Sequence, residues 1–207
     1  QRFTGHWLKS LPAVVERLEA GGRVLDVGCG VGRVALTLTK AFPRATIMGL
    51  DSDNESIRQA NNAAAKEGLS DRLRFLARNT GELGSEEQFD LITACDCVHD
   101  FAAPVETLKE IHGLLKADGV LLVIEPKAAD RLEDNRNSIG TMYYGFSVFH
   151  CMTQSLAQGG PGLGLDARRG QQEGQEGRQG RDQVAARARA RRSAGTAGSP
   201  PRDHVRD

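Results

Sequence analysis

Three glycines spaced two residues apart lie between a predicted strand and a predicted helix. Gly28, Gly30 and Gly32 follow the apolar run Arg23–Val27, which carries Asp26. Glycine lets the backbone approach a ligand closely, and the N-terminus of a helix offers unpaired N–H groups to that ligand. The loop is therefore a candidate binding site. A tight turn from strand to helix that holds no ligand is the alternative.

The spacing of these glycines separates one kind of ligand from another. A dinucleotide fingerprint, G-x-G-x-x-G, needs its third glycine three residues after the second, whereas here the interval is two and position 33 is Arg. Asp51 ends a second apolar run, 21 residues after Gly30. A carboxylate there can accept hydrogen bonds from both hydroxyls of a ribose. The alternative is a helix N-cap, a role that Ser52 or Asp53 could also take.

These residues need a scaffold, and the hydrophobic pattern predicts one in which strands and helices alternate about every 25 residues. The predicted strands are Arg23–Val27, Ala45–Leu50, Leu73–Ala77, Phe89–Ala94 and Val120–Ile124, the last entered through a turn at Asp118-Gly119. The predicted helices are Leu8–Glu19, Val31–Phe42, Asp53–Gly68 (capped by Asp51 or Ser52) and Pro104–Leu115. This order indicates an α/β fold with a parallel sheet covered on both faces.

The pattern Asp26-x-Gly28-x-Gly30-x-Gly32 resembles the first motif of class I S-adenosylmethionine-dependent methyltransferases. The runs 89–100 and 114–126 resemble the motifs that follow at the fourth and fifth strands of that family. The resemblance implies a Rossmann-like three-layer sandwich with a mostly parallel sheet. It also implies S-adenosyl-L-methionine as the cofactor and methyl transfer as the function.

A narrower resemblance covers residues 7–165 and concerns a subfamily in which a winged-helix domain precedes the methyltransferase domain. No part of residues 1–207 is expected to form that winged-helix domain. The family's usual strand order is 3-2-1-4-5-7-6, and nothing after Gly164 resembles its last two strands. We therefore expect the domain, residues 1–166, to be incomplete at its C-terminus. Strand five would then be an exposed and aggregation-prone edge, and the chain marginally stable.

The family resemblance assigns roles to individual residues. The glycine loop would hold the methionine portion of the cofactor, Asp26 its ammonium group, and Asp51 its ribose. Asn79 would contact the adenine amino group, where the family usually has Asp; a turn with Thr80-Gly81 is the alternative. The complete implied cofactor set is Asp26, Gly28, Cys29, Gly30, Gly32, Asp51, Ser52, Asn79, Thr80, Cys95 and Asp96.

The acceptor is expected at the end of the fourth strand, because ligands bind at the carboxyl ends of parallel strands. A base is needed only if the acceptor loses a proton. His99 and Asp100 stand where one could act, and a satisfied polar pair at a helix start is the alternative. Tyr143 and Tyr144 could line the acceptor pocket. The helical spacing of the neighbouring apolar residues Met142, Phe146 and Phe149 instead favours core packing.

Charge divides the chain into two parts. Residues 1–166 carry 17 basic and 22 acidic residues, whereas residues 167–207 carry 10 Arg and 5 acids and contain no aromatic residue, Leu, Ile or Met. We predict a disordered Arg/Gly-rich tail over 167–207. Its composition is typical of coding sequence read in another frame or altered by splicing, with a nucleic-acid-binding tail as the alternative.

The remaining composition narrows the partners. Four scattered cysteines indicate free thiols in a reducing, cytoplasmic compartment, and Cys95-x-Cys97 lacks the second ligand pair of a zinc site, so no metal is expected. No apolar run approaches 18 residues. We expect a small-molecule acceptor and neither nucleic acid nor membrane as partner. A catalytically inactive cofactor-binding or regulatory module is the competing function.

Overall fold

The structure, a computed structural model, describes residues 7–84, 86–129 and 131–162. Five strands form its sheet: β1 Arg23–Val27, β2 Thr46–Asp51, β3 Leu73–Ala77, β4 Phe89–Cys95 and β5 Leu115–Ile124. The helices are α1 Pro12–Glu19, α2 Arg33–Ala41, α3 Asn54–Lys66, α4 Pro104–Leu114, α5 Ser138–Phe146 and α6 Met152–Ala157. Short 3-10 turns cover Leu8–Ser10, Thr80–Glu82, Val98–Asp100 and Leu132–Asn135, and a π-helical turn, Ser147–Cys151, joins α5 to α6. The predicted tail lies outside the described residues.

The strands pair in the order β3-β2-β1-β4-β5, and every pairing is parallel. Alternate residues of β1 point to opposite faces, so that Val24 packs with α1, α2 and α3 while Leu25 packs with α4. The result is a sheet between two helical layers. This arrangement confirms the predicted Rossmann-like three-layer sandwich, and it brings the carboxyl ends of β1, β2, β4 and β5 to one edge.

At the starts of α1 and α3, local backbone chemistry overrides the prediction from the apolar period. The first predicted helix starts only at Pro12, since Leu11 before it has a non-helical backbone, as residues that precede proline tend to have. Neither Asp51 nor Ser52 caps α3. The Asp53 side chain does so, by accepting from the backbone N–H groups of Glu55 and Ser56.

The predicted turn at Asp118-Gly119 is instead a bulge inside β5. Leu115 pairs with Phe89 and Val120 pairs with Leu91, so four residues of β5 face a single residue of β4. That single residue is Asp90, whose Oδ2 accepts from Lys116 Nζ at 2.8 Å and also from the backbone of β1 at 2.8 Å. The extra chain is accommodated because Asp90, 4% exposed, satisfies both donors.

The bulge predicts a stability effect at Gly119. A Cβ there would lie 2.7 Å from the carbonyl oxygen of Phe89 and 3.0 Å from the backbone nitrogen of Lys116. We expect Gly119→Ala to destabilise the fold by about 1–3 kcal/mol, because backbone cannot move aside cheaply. Gly113→Ala in α4 is the matched control, since its Cβ meets nothing within 4 Å. It should stabilise the helix by about 0.5–1 kcal/mol. Urea unfolding followed by circular dichroism measures both, and equal midpoints for the two variants would rule out a close-packed bulge.

The chain beyond β5 exposes apolar surface. In the described part of the chain β5 pairs with β4 alone, and Val123 is 42% exposed. The prediction that Met142, Phe146 and Phe149 pack in the core is wrong, because they are 50%, 60% and 85% exposed. Both core clusters lie against the sheet, and neither reaches this face of α5. Among the described helices none is long and apolar enough to cross a bilayer.

Candidate cofactor and acceptor site

The glycine loop runs from the end of β1 into α2 with three residues in the left-handed region. Gly28, Gly30 and Gly32 have φ values of 63°, 51° and 81°. Residues other than glycine rarely adopt this backbone conformation, which explains the residue type at all three positions. Between them, the Cys29 N–H donates to the carbonyl of Leu50 at 2.9 Å, so the loop is fastened to the end of β2.

The three glycines differ in how much space surrounds them. A Cβ at Gly32 would lie 2.4 Å from the ring of Phe75, and a Cβ at Gly28 would lie 2.7 Å from the Cβ of Cys97. Both positions are closed by the protein's own core. A Cβ at Gly30 meets no atom within 4 Å. A side chain at Gly30 would thus enter open space, whereas one at Gly28 or Gly32 would not, and the predicted cofactor contacts of all three glycines stay predictions.

Asp51 braces the loop from the end of β2. Its Oδ2 accepts from the backbone N–H of Gly30 at 2.8 Å, and its Oδ1 accepts from the N–H of Asp53 at 2.9 Å. A carboxylate offers about four acceptor positions, so each oxygen can accept once more. The side chain is half-buried and the neighbouring Ser52 is exposed. The N-cap alternative for Asp51 is wrong because Asp53 fills it, while the ribose contact stays a prediction.

Asp26 is a buried carboxylate that is only half satisfied. The side chain is 1% exposed, its Oδ1 accepts from Thr93 Oγ1 at 2.7 Å, and its Oδ2 makes no hydrogen bond of good geometry among the described residues. Burial raises the pKa of Asp26 to about 7, against the weaker opposing effects of Thr93 and the backbone of Ala35. A cationic group would relieve this cost. The ammonium group expected of S-adenosylmethionine is such a group, so these residues fit the cofactor.

Asn79 and Thr80 form the predicted turn. Asn79 is exposed, and its backbone N–H donates to the carboxylate of Glu82 at 2.9 Å, as in a helix capping box. Thr80 is 5% exposed, and its hydroxyl donates to Glu110 of α4. The Thr80 side chain thus ties this turn to α4. Contact between Asn79 and an adenine stays a prediction.

The segment after β4 holds an unusual backbone. In the described part of the chain Asp96 is the one residue other than glycine with a positive φ, 56°. Such a conformation costs about 1–3 kcal/mol and is retained where the surroundings fix it. Here the Asp96 N–H donates to the carbonyl of Ile124 at 2.7 Å, which ties the end of β4 to the end of β5. The exposed carboxylate of Asp96 therefore stands at the carboxyl edge of the sheet.

Three cysteines lie at this edge of the sheet, and the expected cofactor contacts of Cys29 and Cys95 stay predictions. Cys97 is buried beside Gly28, with its Sγ 3.3 Å from the carbonyl oxygen of Val27. Burial raises the pKa of the half-buried Cys95 thiol to about 12 and also raises the pKa values of Cys29 and Cys97. All three thiols stay protonated at neutral pH and are poor nucleophiles.

Glu125, just past β5, is a candidate site residue that the sequence pattern did not single out. Its Oε1 accepts from the N–H groups of Cys97, at 3.1 Å, and Val98, at 2.8 Å, and its Oε2 pairs with Nδ1 of His99. Nε2 of His99 lies 3.4 Å from Oδ1 of Asp100. One signal was available, because an acid at the end of strand five must share the sheet edge with residues that end strand four.

The helical segment after β5 closes over this loop. Cys151 is buried, and its Sγ lies with donor atoms of His99 and Asp100 inside a 4.8 Å cluster. Ser155 Oγ donates to the carbonyl of Phe101 at 3.2 Å. The chain after β5 thus forms one wall beside His99. Asp96, His99 and Glu125 make a second cluster of the same size, so either set has a geometry compatible with a cation.

The tyrosines proposed for the acceptor pocket lie in α5, at the outer side of this segment. Tyr144 is 36% exposed, and its hydroxyl oxygen accepts from Asn135 Nδ2 at 3.2 Å. Tyr143 is half-buried. Neither has a hydrogen bond to His99 or Asp100 in the described residues, and a role in the pocket stays a prediction.

Comparison with known proteins settles the family. Residues 18–176 match the family model described as a methyltransferase domain, which is more than three quarters of the chain. The chain belongs to this methyltransferase family. The match confirms the predicted class I assignment and, with it, S-adenosyl-L-methionine as the cofactor of the family. The site described above therefore lies in a methyltransferase domain.

Curated relatives extend the likeness but are much longer. The methyltransferase domain is 35% identical over 130 residues to sterol 24-C-methyltransferase of Debaryomyces hansenii, an alignment that covers 61% of this chain and 33% of that protein. It is 29% identical over 119 residues to the methyltransferase phqN of Penicillium fellutanum, covering 57% and 36%. The chain thus spans about a third of the length of the curated relatives it matches.

Solved structures share the fold. The [4+2]-cyclase SpnF superposes with a TM-score of 0.50 at 30% identity, covering 58% of this chain and 46% of that one. The YcgJ protein of Bacillus subtilis superposes with a TM-score of 0.51 at 25% identity, covering 68% and 57%. The same scaffold is thus found in a protein named for a different reaction.

Proposed function

We propose that this methyltransferase domain binds S-adenosylmethionine at the glycine loop and transfers its methyl group to a small-molecule acceptor. The observation that carries the proposal is the state of Asp26, a buried carboxylate with one unsatisfied oxygen that precedes a loop with open space beside Gly30. A cationic ligand would neutralise the Asp26 carboxylate, and a ligand that fits closely would fill the space beside Gly30. The printed name of several relatives, sterol 24-C-methyltransferase, supports a small-molecule acceptor.

Each site residue has a binding or positioning role in this proposal. The cofactor, when bound, supplies the electrophilic methyl group. Asp26 neutralises its ammonium group, Gly30 gives it room, and Asp51 holds the loop and accepts from the ribose. Asp96 and the loop before His99 face the acceptor from the ends of β4 and β5. The protein thus orients two reactants and excludes water, which accounts for much of the rate in such displacements.

A cofactor-binding module without methyl transfer is the second candidate. It is favoured by the match to a cyclase on the same scaffold at 30% identity. The two candidates share cofactor binding and differ in turnover, so release of S-adenosylhomocysteine with an acceptor decides between them.

Nucleic acid is not proposed as partner, because the Arg-rich segment that would bind it lies outside the described residues. A cytoplasmic location is proposed as well.

Cofactor binding is tested at Gly30, with Gly68 as a matched control. Both residues have a positive φ, 51° and 66°, and a Cβ at either one meets nothing within 4 Å. Alanine should therefore impose a similar backbone strain, on the order of 1 kcal/mol, at both positions. We expect Gly30→Ala to weaken binding of S-adenosylhomocysteine about tenfold by calorimetry, a cost of about 1.4 kcal/mol. Gly68→Ala should bind normally.

Two outcomes would contradict the proposal. Wild-type affinity in Gly30→Ala, at equal stability of the two variants, would mean that the open side of the loop does not contact the cofactor. Absence of measurable binding in the wild-type chain would overturn the proposed function as a whole.

A further inference from the structure

The imidazole of His99 is held by a residue from the neighbouring strand. Glu125 Oε2 pairs with Nδ1 of His99, while Oε1 accepts from the N–H groups of Cys97 and Val98. The carboxylate is therefore fixed by two backbone donors and in turn fixes the ring. With 12% of its side chain exposed, His99 has little freedom to rotate away.

This pairing favours a hydrogen on Nδ1 of the His99 ring. An ionised carboxylate can only accept, so Nδ1 must donate, and in the neutral ring Nε2 is left with its lone pair. Nε2 lies 3.4 Å from Oδ1 of Asp100, an oxygen that is buried without a hydrogen bond of good geometry among the described residues. A proton that arrives at Nε2 is therefore met by a second carboxylate.

The charges around the ring are mainly negative. Glu125 faces it from just past the end of β5, Asp96 and Asp100 from the loop after β4, and the neutral thiol of Cys151 from the π-helical turn. No Lys or Arg within the described ranges forms an ion pair with these carboxylates. Burial alone would lower the pKa of His99, but the hydrogen bond to Glu125 and the three negative charges outweigh it and raise that pKa above its ordinary value.

This environment selects among nucleophiles. A carboxylate or phosphate acceptor would be repelled by Asp96, Asp100 and Glu125. An amine would be held in its protonated form by the same charges and would lack a lone pair. An uncharged hydroxyl is neither repelled nor protonated, but it must lose its proton as it is methylated.

We propose that His99 is the general base for methylation of an uncharged hydroxyl group, and that Glu125 is its positioning residue; this rests on the proposed function. The hydroxyl oxygen forms its bond to the methyl carbon as the bond from that carbon to sulfur breaks. The O–H bond breaks in the same step, and the proton passes to Nε2 of His99. The imidazolium lies between Glu125 and Asp100 and returns the proton to solvent.

The tautomer is tested without any acceptor, by nitrogen NMR of the histidine-labelled full chain. We expect a neutral His99 with the hydrogen on Nδ1 in the wild type. In Glu125→Gln the amide oxygen can still accept from Cys97 and Val98, so its NH₂ group faces the ring and should move the hydrogen to Nε2. The exposed Glu133→Gln is the matched control and should leave the wild-type pattern. Hydrogen on Nε2 in the wild type would overturn the assignment.

Activity is tested with four single-ring probes that differ in nucleophile: phenol, benzyl alcohol, benzylamine and benzoate. We expect methylation of the two hydroxyl compounds only, with kcat rising with pH through the raised pKa of His99, because the base must be neutral. Glu125→Gln should lower kcat about 100-fold and leave the affinity for S-adenosylhomocysteine unchanged. Glu133→Gln should keep the wild-type rate.

The two levels of the argument fail differently. A chain that does not bind S-adenosylhomocysteine overturns the proposed function. A chain that binds it but methylates benzylamine or benzoate in preference to the hydroxyl compounds overturns the assignment of His99 alone. A chain that turns over none of the four probes is judged by the NMR result, in which an unchanged ring in Glu125→Gln counts against Glu125 as positioning residue.

Discussion

Asp26→Asn should weaken binding of S-adenosylhomocysteine at least about 100-fold while making the unliganded fold more stable. The affinity falls because a buried cation loses its counter-charge, a loss of about 3–5 kcal/mol when one partner of a buried pair is removed. The stability rises because the wild-type protein buries a carboxylate whose Oδ2 has no good hydrogen bond. Asparagine still offers an oxygen to Thr93, which preserves the one bond that the wild-type side chain makes.

The stability effect has a defined pH dependence. The pKa of Asp26 is about 7 in the folded protein, whereas its ordinary value, which applies to the unfolded chain, is 3.8. Between these two pH values the folded state holds a proton that the unfolded state has lost. Wild-type stability from this group is therefore present at low pH and falls as the pH rises from about 4 to about 7. Asparagine does not titrate. The stability gain in Asp26→Asn should thus grow between pH 5 and pH 8 by roughly 2–3 kcal/mol.

Two measurements decide this prediction. Urea unfolding of both proteins at pH 5 and pH 8 gives the difference in the free energy of unfolding, in which other titrating groups cancel. Calorimetry gives the affinity, which should increase toward pH 7 in the wild type and stay flat in the variant. A variant with wild-type affinity, or a stability difference that is independent of pH, would show that Asp26 is satisfied without a ligand.

Asp51→Ala should weaken cofactor binding by about 1.5–3 kcal/mol, or about 10- to 150-fold. Two contributions add: the expected bonds to the ribose are lost, and the N–H of Gly30 loses the acceptor that holds the loop. The fold should remain intact, because Asp51 is not the cap of α3. Calorimetry with S-adenosylhomocysteine and far-ultraviolet circular dichroism measure the two properties separately.

Asp53→Ala provides the matched control, two residues away on the same turn. Its carboxylate accepts from the first turn of α3 and is fully outside the loop. Asp53→Ala should lower the melting temperature and leave the affinity of the folded protein unchanged. If instead Asp51→Ala lowers the melting temperature and binds normally, the carboxylate of Asp51 has only a structural role.

The site combines strain and desolvation on one edge of the sheet. Asp26 is buried at a cost, Asp96 has a left-handed backbone, and His99 is confined among carboxylates. Such features lower stability and persist where a ligand or a reaction uses them. The same edge is braced by bonds that cross between strands, from Asp51 to Gly30 and from Glu125 to Val98. The two sets of interactions explain how a costly site is kept in one geometry.

While the strand order up to β5 was implied by the family resemblance, the amino-acid sequence by itself determined the fold class and the position of the glycine loop. These follow from local patterns: alternating apolar runs, the glycine spacing from Gly28 to Gly32, and an acid at the end of each of the first two strands. Local patterns are sufficient because a parallel sheet brings the carboxyl ends of its strands to one edge whatever the side chains are. That rule placed Asp26 and Asp51 near the same ligand before any contact was known.

Only the tertiary structure decided which glycines of the loop lie against the core and which one lies beside open space. Gly28 and Gly32 are closed off by Cys97 and Phe75, which lie at least 43 residues further along the chain. Glu125 meets His99 across 26 residues, through the register of β4 and β5. The exposed apolar face of α5 also depends on what lies beside it, since a helical period shows a stripe without showing whether anything covers it. Contacts between distant segments depend on strand register and packing, and spacing along the chain does not encode them.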